Sequence, residues 1–300
     1  MKRLVCIVLI ISILLSGSFI VRNVHAQASS GTSVGGTLTS NAEWTTGESP
    51  INFNESVTID SGVTLTVDPG VTVNFGMYGL LVYGTLIAQG NANDQIVFTS
   101  SIGSGNTAIP NANNEPVSFF TNASSSGSTN KASIIQNAVL DGIGVNVDGL
   151  SPEIDSCVFN YAVPSEAPIN IDSGSPTISN NIINYNAQSS ASAINTINVY
   201  GGTPLITNNQ FEGSFDDSTN VAIAVTSGVP VITSNTFAAY YCNNSLGVNV
   251  TSGTPQITSN QFEGGGYLTG IDDSSTSSFT VSNNVFSDCY SGVTAEVEST

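Results

Sequence analysis

Basic side chains are almost missing from this chain. Lys2, Arg3, Arg22 and Lys131 are the whole set and His25 is the one histidine, against 22 acidic residues and a formal net charge of −18. Most of this small set lies in the first 26 residues, which read as a secretory signal peptide. Lys2 and Arg3 open it, Leu4 to Leu15 is an apolar run broken only by Ser12, and Val24, His25 and Ala26 resemble a small-x-small cleavage site. The run is short for a bilayer span, which needs about 20 residues. Cys6 stands too early to carry a lipid anchor. Cleavage before Gln27 leaves one Lys, no Arg and no His.

Each shortage excludes something. Nucleic-acid affinity rests on Lys and Arg, so an acidic chain of this kind repels phosphate backbones. It equally repels anionic membrane surfaces, and anionic polysaccharides such as pectate unless metal ions bridge them. The acids are dispersed along the chain rather than blocked, the pattern of a solvated exterior. Cys157, Cys242 and Cys289 remain after cleavage, an odd number that rules out a complete disulfide framework. There is no C-x-x-C pair, and a zinc site would need histidine or more cysteine. Met77 is the only methionine beyond the leader.

What is abundant is Gly, Ser, Thr and Asn alternating with Val, Ile, Leu and Phe, an all-β composition of many short strands. A phrase of the form P-x-I-x-x-N-x-F runs from Pro152 to Phe159 and returns at Pro176, Pro204, Pro230 and Pro255, with Phe279 opening a last copy. The intervals are 24, 28, 26 and 25 residues, then 24. A fixed period in this range is the signature of a solenoid. A second strand precedes each proline: Ile169 and Ile171, Ile197 and Val199, Ile223 and Val225, Val248 and Val250 alternate with other residues and end in glycine turns. Alternation puts one side inside and the other in solvent.

No coil of this length buries its own apolar side, so stacking must do it. The spacing predicts an internal column of Ile154, Ile178, Ile206, Ile232, Ile257 and Val281. A second column holds Phe159, Ile183, Phe211, Phe237, Phe262 and Phe286. Asn181, Asn209, Asn235, Asn260 and Asn284 recur at one turn position. An amide carries both donors and an acceptor, so stacked at coil spacing these residues form a structural ladder along the axis. Cys157 takes that position in the first clear coil and marks the ladder's end.

The N-terminal third repeats the logic in different residues. Val57 to Ile59, Val63 to Val67 and Val71 to Phe75 alternate strictly around turns at Gly62 and Gly70. Ser100 to Asn130 reads as a long surface excursion around a strand at Val117 to Phe119. The expected organisation is a signal peptide over 1–26, an N-terminal cap region over 27–56 containing Trp44, and a parallel β-helix over 57–300. Its regular repeats begin near residue 133.

These repeats, with the opening phrase from Ser61 to Val73, resemble the pectin-lyase-like superfamily of right-handed parallel β-helix proteins. The resemblance runs from about Val57 to the C-terminus and implies an all-β, single-stranded, right-handed solenoid. The superfamily includes pectate and pectin lyases, polygalacturonases, a family tied to copper-site maturation, and many adhesins, so the fold does not choose an activity. Its lyases use a basic residue to take a proton, and its galacturonate hydrolases pair aspartates with a histidine and an Arg-x-Lys motif. This chain departs from both patterns. Metal delivery is the weakest option, because His and Met clusters are missing.

Acidic pairs supply the remaining candidate chemistry. Asp216 with Asp217, and Asp272 with Asp273, are loop acids that suit a weak Ca²⁺ site, since clustered oxygens fit that ion. Glu212 and Glu263 each follow the column aromatic and share an outward column with one coil between them. Two rises give about 9–10 Å, at the upper edge of the roughly 6.5–9.5 Å of an inverting glycosidase pair. Tyrosines gather just after the same strand, at Tyr161, Tyr185, Tyr240, Tyr241, Tyr267 and Tyr290, where rings can stack on neutral sugars. Asn54, Asn122, Asn243 and Asn249 stand in Asn-x-Ser/Thr sequons, usable in a host that glycosylates exported proteins.

The expectation is therefore a non-catalytic exported β-helix module for cell-surface attachment, glycan contact or envelope structure. A polysaccharide-active glycoside hydrolase using outward acids is the alternative. The expected partners are neutral glycans or cell-surface components. An open coil end past Phe286 would also allow end-to-end self-association.

Overall fold

In the computed structural model of the chain, residues 31–100, 117–121, 133–161, 167–185, 194–214, 220–240 and 245–295 are described. The predicted signal peptide, Lys131, Cys242, Tyr241, Asp216, Asp217, Asn122 and Asn243 lie outside them. Among the described residues there is no helix, hence none long and apolar enough to cross a membrane.

Each coil contributes three strands, and each strand pairs in parallel with its equivalents in the coils before and after. The short strands form a ten-stranded sheet from Ala42–Trp44 to Thr280–Ser282. A second sheet carries the phenylalanine column through Val158–Tyr161, Ile182–Tyr185, Gln210–Ser214, Thr236–Tyr240, Gln261–Glu263 and Val285–Ser287. A third, broader sheet runs through Val145–Asp148, Ile169–Ser173, Ile194–Val199, Asn220–Val225, Ser245–Val250, Leu268–Asp273 and Ser291–Ala295. Two long strands, Thr32–Leu38 and Ile51–Ile59, join the second and third sheets at the N-terminal end. The protein is an all-β parallel solenoid, as the repeat predicts.

The columns follow the repeat residue for residue. Ile154, Ile178, Ile206, Ile232 and Ile257 stand in one register and are fully buried. Each such burial contributes roughly 1.5–3 kcal/mol. Phe211, Phe237, Phe262 and Phe286 stack with centroids 4.8, 4.6 and 5.0 Å apart and planes within 10° of parallel. Glycines opposite make room for these rings: a Cβ at Gly247 would lie 2.5 Å from Phe262 Cε1, and one at Gly270 would lie 2.4 Å from Phe286 Cε1. At the N-terminal end Trp44 is buried edge-on against Phe53, centroids 5.8 Å apart. At the other end Val281 continues the isoleucine column but is 38% exposed.

The corner between the short strands and the phenylalanine strands is where the asparagines act. The residue before each ladder position has a left-handed backbone: Asn180, Asn208, Ser234, Ser259 and Asn283 have φ between 54° and 58°. Short polar residues tolerate that region. The chain then reverses direction and turns the next side chain inward. Asn181, Asn209, Asn235 and Asn260 are each 1% exposed. Nδ2 of each donates to Oδ1 of the asparagine one coil on, at 2.9–3.1 Å. The same Nδ2 also donates to an isoleucine carbonyl one coil back, at 2.8–3.0 Å. Each of these Oδ1 atoms also receives a backbone N–H from the coil before. Cys157 ends the row in kind, its thiol donating to the Ile135 carbonyl at 3.4 Å where an amide would otherwise act.

The corner between the broad sheet and the short strands is a glycine turn. Gly202 has φ 75°, and a Cβ there would lie 2.1 Å from the Gly174 carbonyl oxygen, so the stacked turns admit no side chain. From Pro152 to Phe262 the differences in coil length fall at the third corner, between the phenylalanine strands and the broad sheet; nearer the N-terminus, residues 121–133 enter at the glycine-turn corner and residues 90–95 at the asparagine corner.

Candidate functional site

The broad sheet has a simple alternation in most coils. Val145 and Val147, Ile169 and Ile171, Ile197 and Val199, Val248 and Val250 are fully buried, so the asparagine inside each pair points outward. The register aligns Asn146, Asn170, Asn198, Ala224, Asn249 and Asp272 in one outward column. An outward column should be wet, yet Asn170 and Asn198 are only 8% exposed. The chain entering each strand folds back on it. Asn170 Nδ2 donates to the Ala167 carbonyl at 3.4 Å, and Asn195 Nδ2 donates to Asn198 Oδ1 at 2.6 Å. Asn198 Nδ2 reaches along the column to Asn170 Oδ1 at 2.8 Å.

This amide row is not fully used by the fold. Among the described residues, Asn146 Oδ1, Asn249 Oδ1 and Ser245 Oγ are buried atoms with no hydrogen-bond partner. A buried polar atom left unpaired costs about 1–3 kcal/mol, so such atoms mark places where a ligand or water completes the structure. Two of the three are amide oxygens of the row, and they ask for donors.

Carboxylates flank the row. Asp148 accepts Ser173 Oγ at 3.0 Å. Burial raises the Asp172 carboxyl above its ordinary value and the nearby Asp148 charge adds to this, while a hydrogen bond from Asn146 opposes it. Asp272 lies in the outward column and accepts the Thr294 hydroxyl. Asp273 occupies the register position of Val250 and is bonded into its own turn by the N–H and hydroxyl of Ser275, at 2.9 and 2.7 Å. The two aspartates therefore belong to opposite sides of one strand. No group of three or more His, Cys, Asp or Glu able to hold a metal ion occurs among the described residues.

Glu212 and Glu263 stand on the phenylalanine sheet, two coils apart in one register with Ala238 between them. Each is held by the glutamine two residues before it, Gln210 for Glu212 and Gln261 for Glu263. The tyrosine-bearing strand ends all reach the third corner. Tyr161 aligns with Tyr185, and Tyr240 with Ser214. One and two coils further on, Tyr267 is 46% exposed and Tyr290 is 80% exposed at the same corner. Tyr267 and Tyr290 each stand just before a broad-sheet strand, Leu268–Asp273 and Ser291–Ala295.

Reading the sequence misses the row itself and Tyr200, which follows Val199 and is half exposed. The signal was present in Val145 to Asp148, Ile169 to Asp172, Ile197 to Tyr200 and Val248 to Thr251, where asparagine takes the same outward place four times. Comparison of the chain with protein-family models, with curated proteins and with solved structures finds no match. The fold and the amide row therefore define the class, a parallel β-solenoid with a polar, partly covered face.

Proposed function

We propose that this chain is an exported, non-catalytic β-solenoid of the pectin-lyase-like kind that contacts neutral glycans through the outward face of its broad sheet. The observation that carries the reading is the pair of buried, unpartnered amide oxygens of Asn146 and Asn249 in one outward column. Sugar hydroxyls are donors of the required kind. Exposed Tyr267 and Tyr290, each just before a strand of the same sheet, offer apolar ring faces for sugar rings. The scarcity of basic residues turns the preference toward uncharged chains. The apolar run from Leu4 to Leu15 supports export to the cell surface.

The test is binding of the purified protein to a panel of neutral and acidic polysaccharides, with reducing-end release followed in parallel. The expected result is binding of a neutral glycan that weakens in Asn146→Ala and Asn249→Ala, with no release of reducing ends. Absence of any neutral binder overturns the reading. Release abolished by Glu212→Gln or Glu263→Gln would favour the hydrolase instead, a reading supported by the shared register of those two glutamates across Ala238.

A further inference from the structure

The outward face of the short-strand sheet plays no part in the site above. In the coils from Pro152 to Phe262 both corners that bound it are tight, the glycine turn on one side and the left-handed residue on the other. From Pro152 to Phe262 the segments that vary in length leave at the opposite corner, so over these coils this side carries no insertion. Leu205, Val231, Gln256 and Thr280 form one outward row, and Thr207, Thr233, Thr258 and Ser282 form the next. The pairing across these strands runs without a register shift. In a chain with 22 acids, both rows are uncharged over the five coils from Thr177 and Ser179 to Thr280 and Ser282, and meet acids only at Glu153 and Asp155 one coil further.

The geometry is a grid. Neighbouring strands are about 4.8 Å apart, and outward residues of one strand about 6.6–6.8 Å apart. The hydroxyls align along the axis: Thr258 Oγ1 donates to Thr233 Oγ1 at 3.1 Å, and Ser175 Oγ lies 2.6 Å from Thr203 Oγ1. Between them stand the apolar groups of Leu205, Val229 and Val231, with Leu205 36% and Val229 42% exposed. A molecule-sized ligand needs a concavity, whereas these rows offer an extended, regularly spaced surface. A crystalline polysaccharide would be gripped by aromatic rings, and both rows lack them, Tyr267 and Tyr290 lying at the far corner. Methyl groups constrain the water beside them, and hydroxyls hold that water by hydrogen bonds at little cost. Repeated at coil spacing, the two together present a neutral lattice to ordered water.

We propose that this face, centred on Thr207, Val231 and Thr233, binds the ordered water lattice of ice. The occupant is uncharged and periodic, as these two rows are from Thr177 to Ser282. This goes beyond glycan contact and uses a different sheet.

The test is the growth of a single ice crystal in a solution of the purified full chain held just below the melting point, with recrystallisation followed in a frozen film. The expected result is a gap between melting and growth temperatures, faceted crystals and slowed recrystallisation. All three are lost in Val231→Lys and in Thr233→Tyr and kept in Thr236→Lys, which alters the neighbouring sheet. Circular dichroism and the melting midpoint establish that each variant is folded. Crystals that grow unshaped with no temperature gap overturn the proposal, as does equal loss in Thr236→Lys. A dimer that Val231→Lys converts to monomer would make the face a self-contact and also overturn it.

Discussion

Asn181 is tied to Asn209 twice: its Nδ2 donates to the Asn209 Oδ1 at 2.9 Å, and its backbone N–H donates to the same oxygen at 3.0 Å. One carbonyl group of one side chain thereby closes the turn of the preceding coil. Asn209→Ala orphans both donors and the Ile178 carbonyl that Asn209 itself serves at 2.8 Å. The expected loss is on the order of 2–4 kcal/mol, read from the denaturant midpoint. Asn284 is only half-buried and ends the row, so Asn284→Ala should cost about 1 kcal/mol or less.

The glycines opposite the phenylalanine stack are matched to it. Gly247→Ala drives a methyl into Phe262 and should cost about 1–3 kcal/mol. Phe262→Leu removes the ring but leaves the Gly270 carbonyl oxygen 2.6 Å from the same methyl, so the double variant should recover part of the loss, about 0.5 kcal/mol, relative to the sum of the two singles. A double-mutant cycle in urea measures this. Simple additivity would mean that the backbone yields instead.

Two aspartates should respond to pH in opposite directions. Burial acts to raise the Asp155 carboxyl, but side-chain donors from Asn180, Gln136, Ser179 and Ser156 outweigh it and hold the group below its ordinary value. Its contribution is present above the unfolded-state value of about 3.9. It is lost as pH falls through the lower folded value. Asp155→Asn should therefore destabilise at neutral pH, with the difference closing in acid. Asp172 is raised by burial and by Asp148, so its ionised form is penalised once pH exceeds the unfolded value. Asp172→Asn should stabilise at neutral pH and make no difference in acid. Melting midpoints between pH 2 and 7 (roughly the range around carboxylate titration) separate the two.

The two described thiols, Cys157 and Cys289, should differ in how far the native state protects them. Burial pushes the Cys157 thiol up to about 12, with the Asp155 charge adding and the backbone N–H of Ala138 opposing. Because the thiolate is the nucleophile, iodoacetamide at mildly alkaline pH should leave Cys157 unmodified until the chain unfolds. Burial also raises the Cys289 thiol, but this residue is only half-buried, so it should label before Cys157. Peptide mapping after timed labelling gives the order.

The columns were readable in advance because each imposes one demand on one repeated position. An isoleucine that must fill the core, or an amide that must bridge coils, recurs at Ile178 and Ile206, or at Asn181 and Asn209, whatever the loops do. The alignment of Tyr161 with Tyr185 and of Glu212 with Glu263 followed from the same register. The amide row was harder, because asparagine on an outward strand position reads as ordinary solvated polarity. Only chain from elsewhere, such as Ala167 over Asn170, makes it a covered face. The pairing of Gly247 with Phe262 was hidden for a related reason: the two meet across the core, from different sheets. The left-handed residue varies between Asn180 and Ser234 because the backbone there demands a conformation rather than a particular side chain.

Nearly every bond that holds one coil to the next, the amide row of Asn181 to Asn284 included, runs along the solenoid axis. A pull applied at the two ends of the chain therefore peels these bonds in small groups rather than shearing them all at once. Extension should proceed coil by coil from an end, in steps set by the 24 to 28 residues between successive ladder asparagines. Each step would release roughly 80–95 Å of extended chain. Under load the molecule would behave as a yielding tether that lengthens one coil at a time.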